Sequence, residues 1–202
     1  MIFGGIMANI GVDPRNDPIL YLGLDIGIKR DTTGLAALYQ DPRNQQIYLW
    51  GHQIFIPPVN LEKQVEPVLF YLFDTQRVAA LLFDPTQAAS TEQRLREKGF
   101  GNRLIEVNQL TEMTQACNIL HEGLNTGRFI FYPDAEVRSQ FSWAAAKQTE
   151  RGWRIIKQRQ SRPIDIVVAI AMALLGVTDE VGHAQHPSFN AGQHARSAWS
   201  LP

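Results

Sequence analysis

Apolar positions in this chain come first in short runs and later at helical spacing. Residues 21–26, 33–39 and 46–55 are apolar-rich over strand lengths, and Asp41-Pro-Arg-Asn44 between the last two has turn composition. Three strands on short connections predict an antiparallel meander. Beyond Pro57-Pro58 the period lengthens, and Leu61, Val65, Val68, Leu69 and Leu72 recur as one helical face. Residues 78–83 read as a strand closed by Asp84-Pro85, 87–98 as a helix with a wet face, and 104–107 as a short strand. A helix is expected over 111–124, ended by Gly127, then an extended piece at 129–132. A second helix is expected over 135–150 and a late strand over 153–156. A last helix follows Pro163, which suits a first helical turn because it lacks an amide hydrogen. That helix is apolar on nearly every side and is predicted to lie buried against the sheet.

This order predicts an α/β fold of the ribonuclease H-like kind. Antiparallel strands lead, parallel strands follow in the same mixed sheet, and helices flank it. Residues 20–176 form the expected domain, residues 1–19 a leader or linker remnant, and residues 177–202 a flexible tail or docking arm. The length of 202 residues fits one such domain, and 45% hydrophobic residues can fill its core. The longest apolar run, 166–175, is far too short to cross a bilayer, and no secretory leader is visible, so an intracellular protein with no membrane partner is expected.

Three aspartates stand at the edges of apolar elements. Asp25 lies in the first strand with Gly23 and Gly27 on its own face, which predicts room for a ligand. Asp84 ends the strand at 78–83, where sites gather in sheets with parallel strands. Asp165 opens the apolar closing helix. Charges in such settings are costly unless offset, and carboxylates are the hard ligands that Mg2+ and Mn2+ prefer. The expectation is a site for two ions, with Asp25 bridging and Asp84 and Asp165 each holding one side. One ion would activate the attacking water, and the other would stabilise the leaving oxygen of a phosphodiester. Asp31 is a further candidate ligand, whereas Asp134 reads as the cap of its helix. Cys117 stands alone and reads as a small buried hydrophobe. The five histidines have no zinc-like spacing.

The formal net charge of -1 excludes a bulk electrostatic pull on nucleic acid. A local strip exists, however. Lys147, Arg151, Arg154, Lys157, Arg159 and Arg162 are opposed only by Glu150 and lead straight to Asp165. Phosphate contacts from such a strip would position a DNA backbone beside the metals.

Taken together, Leu24-Asp-Ile-Gly-Ile-Lys-Arg-Asp31, Leu82-Phe-Asp-Pro85, Val107-Asn-Gln109 and Arg162-Pro-Ile-Asp-Ile-Val-Val-Ala-Ile-Ala-Met-Ala173 resemble the C-terminal nuclease domain of the phage terminase large subunit, over about residues 18–176. The resemblance implies a ribonuclease H-like domain that cuts concatemeric phage DNA during genome packaging, with Asp25, Asp84 and Asp165 as its catalytic aspartates. Where some members carry a histidine three residues before the last aspartate, this chain has Arg162. The resemblance implies double-stranded DNA, an ATPase domain, the portal and the small terminase subunit as partners, and the bacterial host cytoplasm as location. No Gly-x-x-x-x-Gly-Lys-Ser/Thr segment occurs, so the ATPase domain is absent from this sequence. The chain is expected to be an excised domain or a truncated prophage product. Alternatives are another nuclease of this fold such as a junction resolvase, a non-catalytic DNA-binding or assembly module, and an actin-like kinase, to which Asp25-Ile-Gly27 also has some likeness.

Overall fold

The computed structural model describes residues 18–27, 31–108 and 110–178. The expected leader and tail therefore lie almost wholly outside the described residues, as do Ile28, Lys29, Arg30 and Gln109 of the motifs.

The meander is present. Strands β1 (Leu20–Asp25), β2 (Thr33–Gln40) and β3 (Ile47–Phe55) pair antiparallel in sequence, with Asp25 opposite Gly34 and Thr33 opposite Phe55. A π-helical turn at Leu61–Val65 runs into helix α1 (Glu66–Thr75), and strand β4 (Val78–Phe83) then returns parallel beside β1. Helix α2 (Pro85–Glu97) leads to strand β5 (Leu104–Glu106), parallel to β4. Helix α3 (Glu112–Thr126) ends at Gly127, whose φ of 68° is the left-handed cap that glycine adopts most readily. Strand β6 (Phe129–Ile130) joins the far edge parallel to β3, so the sheet runs β5-β4-β1-β2-β3-β6.

Helices cover both faces, which is why β1 and β4 are apolar throughout rather than alternating. Leu20, Leu22 and Leu24 join α1 and α2 in one core, while Tyr21, Ala80 and Leu82 face the other. That second core is filled by helix α5 (Asp165–Val177), in which every residue but Val168 is buried. α1 and α2 are tied by a polar link within their core. Glu66 is 1% exposed and accepts hydrogen bonds from Thr91 Oγ1 at 2.7 Å and Arg94 Nε at 2.6 Å. Burial opposes its charge, yet these bonds and the Arg94 cation outweigh burial and hold the carboxyl below its usual range.

Two expectations need correction. The helix expected over 135–150 stops early. α4 spans only Ala135–Trp143, and strand β7 (Ala144–Thr149) follows, paired antiparallel with strand β8 (Gly152–Lys157) as a separate hairpin. Ala144-Ala145-Ala146-Lys147 is a good local helix former, but tertiary pairing overrides propensity. The Gln158 amide donates to Trp143 O, and its side chain donates to Ser142 O and Ala144 O. Carbonyls at the end of α4 are thereby satisfied without another helical turn. Pro163 also sits before the helix cap, not in the first turn. The first helical bonds run from the Val167 and Val168 amides to Ile164 O.

Candidate metal centre

Strand polarity brings the candidate carboxyls to one end of the sheet. β1 and β4 are parallel, so Asp25 and Asp84 finish neighbouring strands at the same edge. Asp165 arrives from above, as the first residue of α5. Gly23, on the same face as Asp25, has a different task from the one expected, and Gly34 opposite Asp25 shares it. A Cβ on Gly23 would lie 1.9 Å from Ala169 O, and one on Gly34 would lie 2.6 Å from the Asp165 carbonyl carbon. The space at Gly23 is filled by α5, not reserved for a ligand. These two close approaches let the closing helix lie flat on β1 and β2 with Asp165 at the strand ends.

α5 begins without a side-chain cap from its own segment. Gln140 of α4 supplies one from a distance: its Oε1 accepts the Ile166 amide at 3.0 Å while the residue is 1% exposed. The β1–β2 connection supplies another restraint, a hydrogen bond donated by the Thr32 hydroxyl to Asp165 Oδ2. Thr33 closes the same connection, with its hydroxyl donating to Gly27 O at 2.9 Å and accepting from the Gly27 amide at 3.1 Å.

Electrostatics single out Asp25. Burial first, then the negative charges of Asp165 and Asp84, push its carboxyl from 3.8 up to about 8, while Lys157 pulls the other way. Asp165 is buried and also raised, mainly by desolvation; the Thr32 hydrogen bond and the Lys157 charge oppose that rise. Each flanking carboxylate has a protein partner. Asp84 Oδ1 caps α2 by accepting the Thr86 amide at 2.8 Å, and Asp31 Oδ1 is 2.8 Å from Lys157 Nζ. Among the described residues, no three His, Cys, Asp or Glu side chains close into a ready-made ligand set. The donor chemistry nonetheless fits a divalent cation: carboxylates hard enough for Mg2+ or Mn2+, and close enough that Asp165 and Asp84 suppress ionisation of Asp25.

The basic strip lies on the β7–β8 hairpin and the turn beyond it, not on a helix. Lys147 pairs across the hairpin with Arg154, and Arg151 is in its turn. Lys147, Arg151, Arg154, Arg159 and Arg162 are exposed, whereas Lys157 is half-buried beside the aspartates. The Arg162 guanidinium stacks 4.8 Å over the Trp143 ring. Trp153 stacks on His121 at 4.2 Å, and its amide donates to Asn118 Oδ1 at 2.8 Å, which docks the hairpin on α3.

Asp134 caps α4 as expected, accepting the Glu136 and Val137 amides. Asn108 of the third motif closes the turn that leads into α3, its Oδ1 accepting the Leu110 and Thr111 amides. Cys117 is buried and unpaired. It lines a cavity of about 130 Å³ between α3 and the hairpin that contains none of the candidate aspartates. Thr32 and Gln140 escaped sequence reasoning. Thr32 had a weak signal, adjacency to Asp31; Gln140 had none.

No family model and no curated protein sequence matches the chain. Solved structures do. The large terminase nuclease from thermophilic phage G20c with bound magnesium aligns with a TM-score of 0.62 at 17% identity, over 79% of this chain and 82% of that one. The HK97 bacteriophage large terminase aligns at 0.64 and 16%, over 79% of this chain but only 39% of that one. The Thermus phage P74-26 large terminase nuclease domain aligns at 0.59 and 16%, over 78% of both chains. The fold expected from the order of strands and helices is therefore the one found, a ribonuclease H-like sheet of the kind seen in phage terminase nucleases.

Proposed function

We propose that this chain is a metal-dependent endonuclease that hydrolyses DNA phosphodiester bonds, cutting concatemeric phage DNA during genome packaging. The observation that carries the reading is the placing of Asp25 and Asp84 at the ends of neighbouring parallel strands with Asp165 at the start of α5, where burial and the two neighbouring charges push the Asp25 carboxyl up to about 8. Such a cluster is unfavourable without a strong counter-charge. Supporting it is the shared fold with terminase nucleases, one of them solved with bound magnesium.

In this reading Asp25, Asp84 and Asp165 hold one or two Mg2+ or Mn2+ ions, with Asp31 peripheral. When bound, the metal supplies Lewis-acid activation of water and stabilises charge at the phosphorus. The chain's own residues do the rest. Thr32 and Gln140 keep Asp165 at the strand ends. Exposed Lys147, Arg151, Arg154, Arg159 and Arg162 hold the DNA backbone through phosphate contacts that carry no sequence preference. Partners in this reading are double-stranded DNA and, in the full system, an ATPase domain, the portal and the small terminase subunit, within the bacterial host cytoplasm.

Incubation of a supercoiled plasmid with the protein and Mg2+ or Mn2+ tests the proposal. Nicked and linear products are expected, absent in EDTA and absent for Asp25→Asn. Plasmid retardation without cutting, in either metal, would replace the nuclease with a non-catalytic DNA-binding module.

A further inference from the structure

We propose that Lys157 is a built-in rival of the divalent cation, so that its ammonium sets how tightly the carboxylate cluster takes a metal. This rests on the metal reading above and goes beyond it by assigning a role to a residue that ligates nothing.

Lys157 is the last residue of β8, and its side chain is only 20% exposed. Its Nζ lies 2.8 Å from Asp31 Oδ1. Its charge also lowers the carboxyl pKa of both Asp25 and Asp165, so one ammonium sits in the field of three aspartates. The rest of the hairpin behaves differently: Lys147, Arg151 and Arg154 point their charge to water. Lys157 is thus the hairpin cation turned inward.

A lysine ammonium is a compact, strongly hydrated point charge on a flexible stem. It offsets carboxylates well, yet it cannot share oxygens with a divalent ion at ligating distance without repulsion. A metal entering the cluster must therefore displace Lys157 from Asp31, or bind more weakly because the cluster is already partly neutralised. Two consequences follow from the same charge. Removing it frees the carboxylates for the metal, and it also leaves them mutually repelling when metal is withheld.

The test is Mn2+ binding to the intact chain, followed by the loss of the free-ion paramagnetic resonance signal, alongside melting in EDTA and in Mn2+. Lys157→Met keeps the stem and drops the charge; Lys157→Gln is a second neutral variant should the first fail to fold. Both are expected to bind Mn2+ severalfold more tightly than wild type. Both are also expected to melt lower in EDTA, and to show a wider gap between the EDTA and Mn2+ melting temperatures. Lys157→Arg is expected to stay near wild type. Unchanged or weaker Mn2+ binding by the neutral variants overturns the proposal, weaker binding meaning that Lys157 holds Asp31 in place for the ion. If wild type takes up no Mn2+, the metal reading falls and this inference with it; wild-type uptake without tightening in the variants sinks this inference alone.

Discussion

At the scale of single residues, Asp25 concentrates the conflict in this protein. A carboxyl raised from 3.8 to about 8 in the folded state binds a proton there that the unfolded chain has already released. Its contribution to stability is therefore full below about pH 4, declines as pH rises, and is gone above about pH 8. In EDTA, wild type is expected to melt progressively lower from pH 4 to pH 8. Asp25→Asn, neutral and of the same shape, should lose much of that slope and melt above wild type at pH 8. Equal slopes in thermal scans would show that the Asp25 charge is not the source. Asp25 was legible in the sequence because strand alternation alone puts a carboxylate beside glycines at a strand end. Thr32 and Gln140 were not, because their partners lie 133 and 26 residues away, and no local pattern reports a contact at that range.

At the scale of elements, the closing helix and the first two strands act as one unit. Gly23 admits the α5 backbone so closely that any Cβ would sit inside the Ala169 carbonyl. Neither side can yield by rotating a side chain. Gly23→Ala is expected to cost about 3 kcal/mol or more, at the upper end for overpacking, measured as a lower midpoint in urea denaturation. A loss below about 1 kcal/mol, within the range of ordinary surface changes, would mean that the helix is not held this close. The meander, β4 and α5 were readable because their apolar patterns and local preferences agree. The β7–β8 hairpin was not. Its first strand is written in alanines that favour a helix, and the Gln158 bonds that stop α4 come from beyond the hairpin. Gly23 and Gly27 beside Asp25 were read correctly as a need for space, but a helix fills it at Gly23 and the Asp31–Thr32 loop at Gly27, which spacing cannot distinguish from a ligand.

At the scale of the whole molecule, charge is sorted rather than accumulated. The net charge is -1, yet the hairpin and following turn carry a run of exposed cations next to a cluster of aspartates. Non-specific DNA affinity should then depend on a few side chains and vary steeply with salt. Arg151→Ala and Arg154→Ala are each expected to weaken binding to DNA of unrelated sequences by a similar factor. Each should reduce the slope of log affinity against log salt by about 1, read by fluorescence anisotropy between 50 and 200 mM salt. An unchanged slope would place the DNA track on another face. The fold likeness to terminase nuclease domains, which this chain matches over about four fifths of its length and theirs, was visible from the order of elements and a few motifs, even at 16–17% identity.

The bond between Thr32 and Asp165 spans 133 residues, joining the first hairpin of the sheet to its last helix. A chain emerging from the ribosome therefore carries Asp25 and the strands long before it carries α5. Until that helix is released and docks, one face of the sheet lacks its central cover and Asp165 has not joined Asp25 and Asp84. If the chain is the nuclease proposed above, its cutting power is withheld by the order of synthesis itself, until the helix that brings Asp165 has docked.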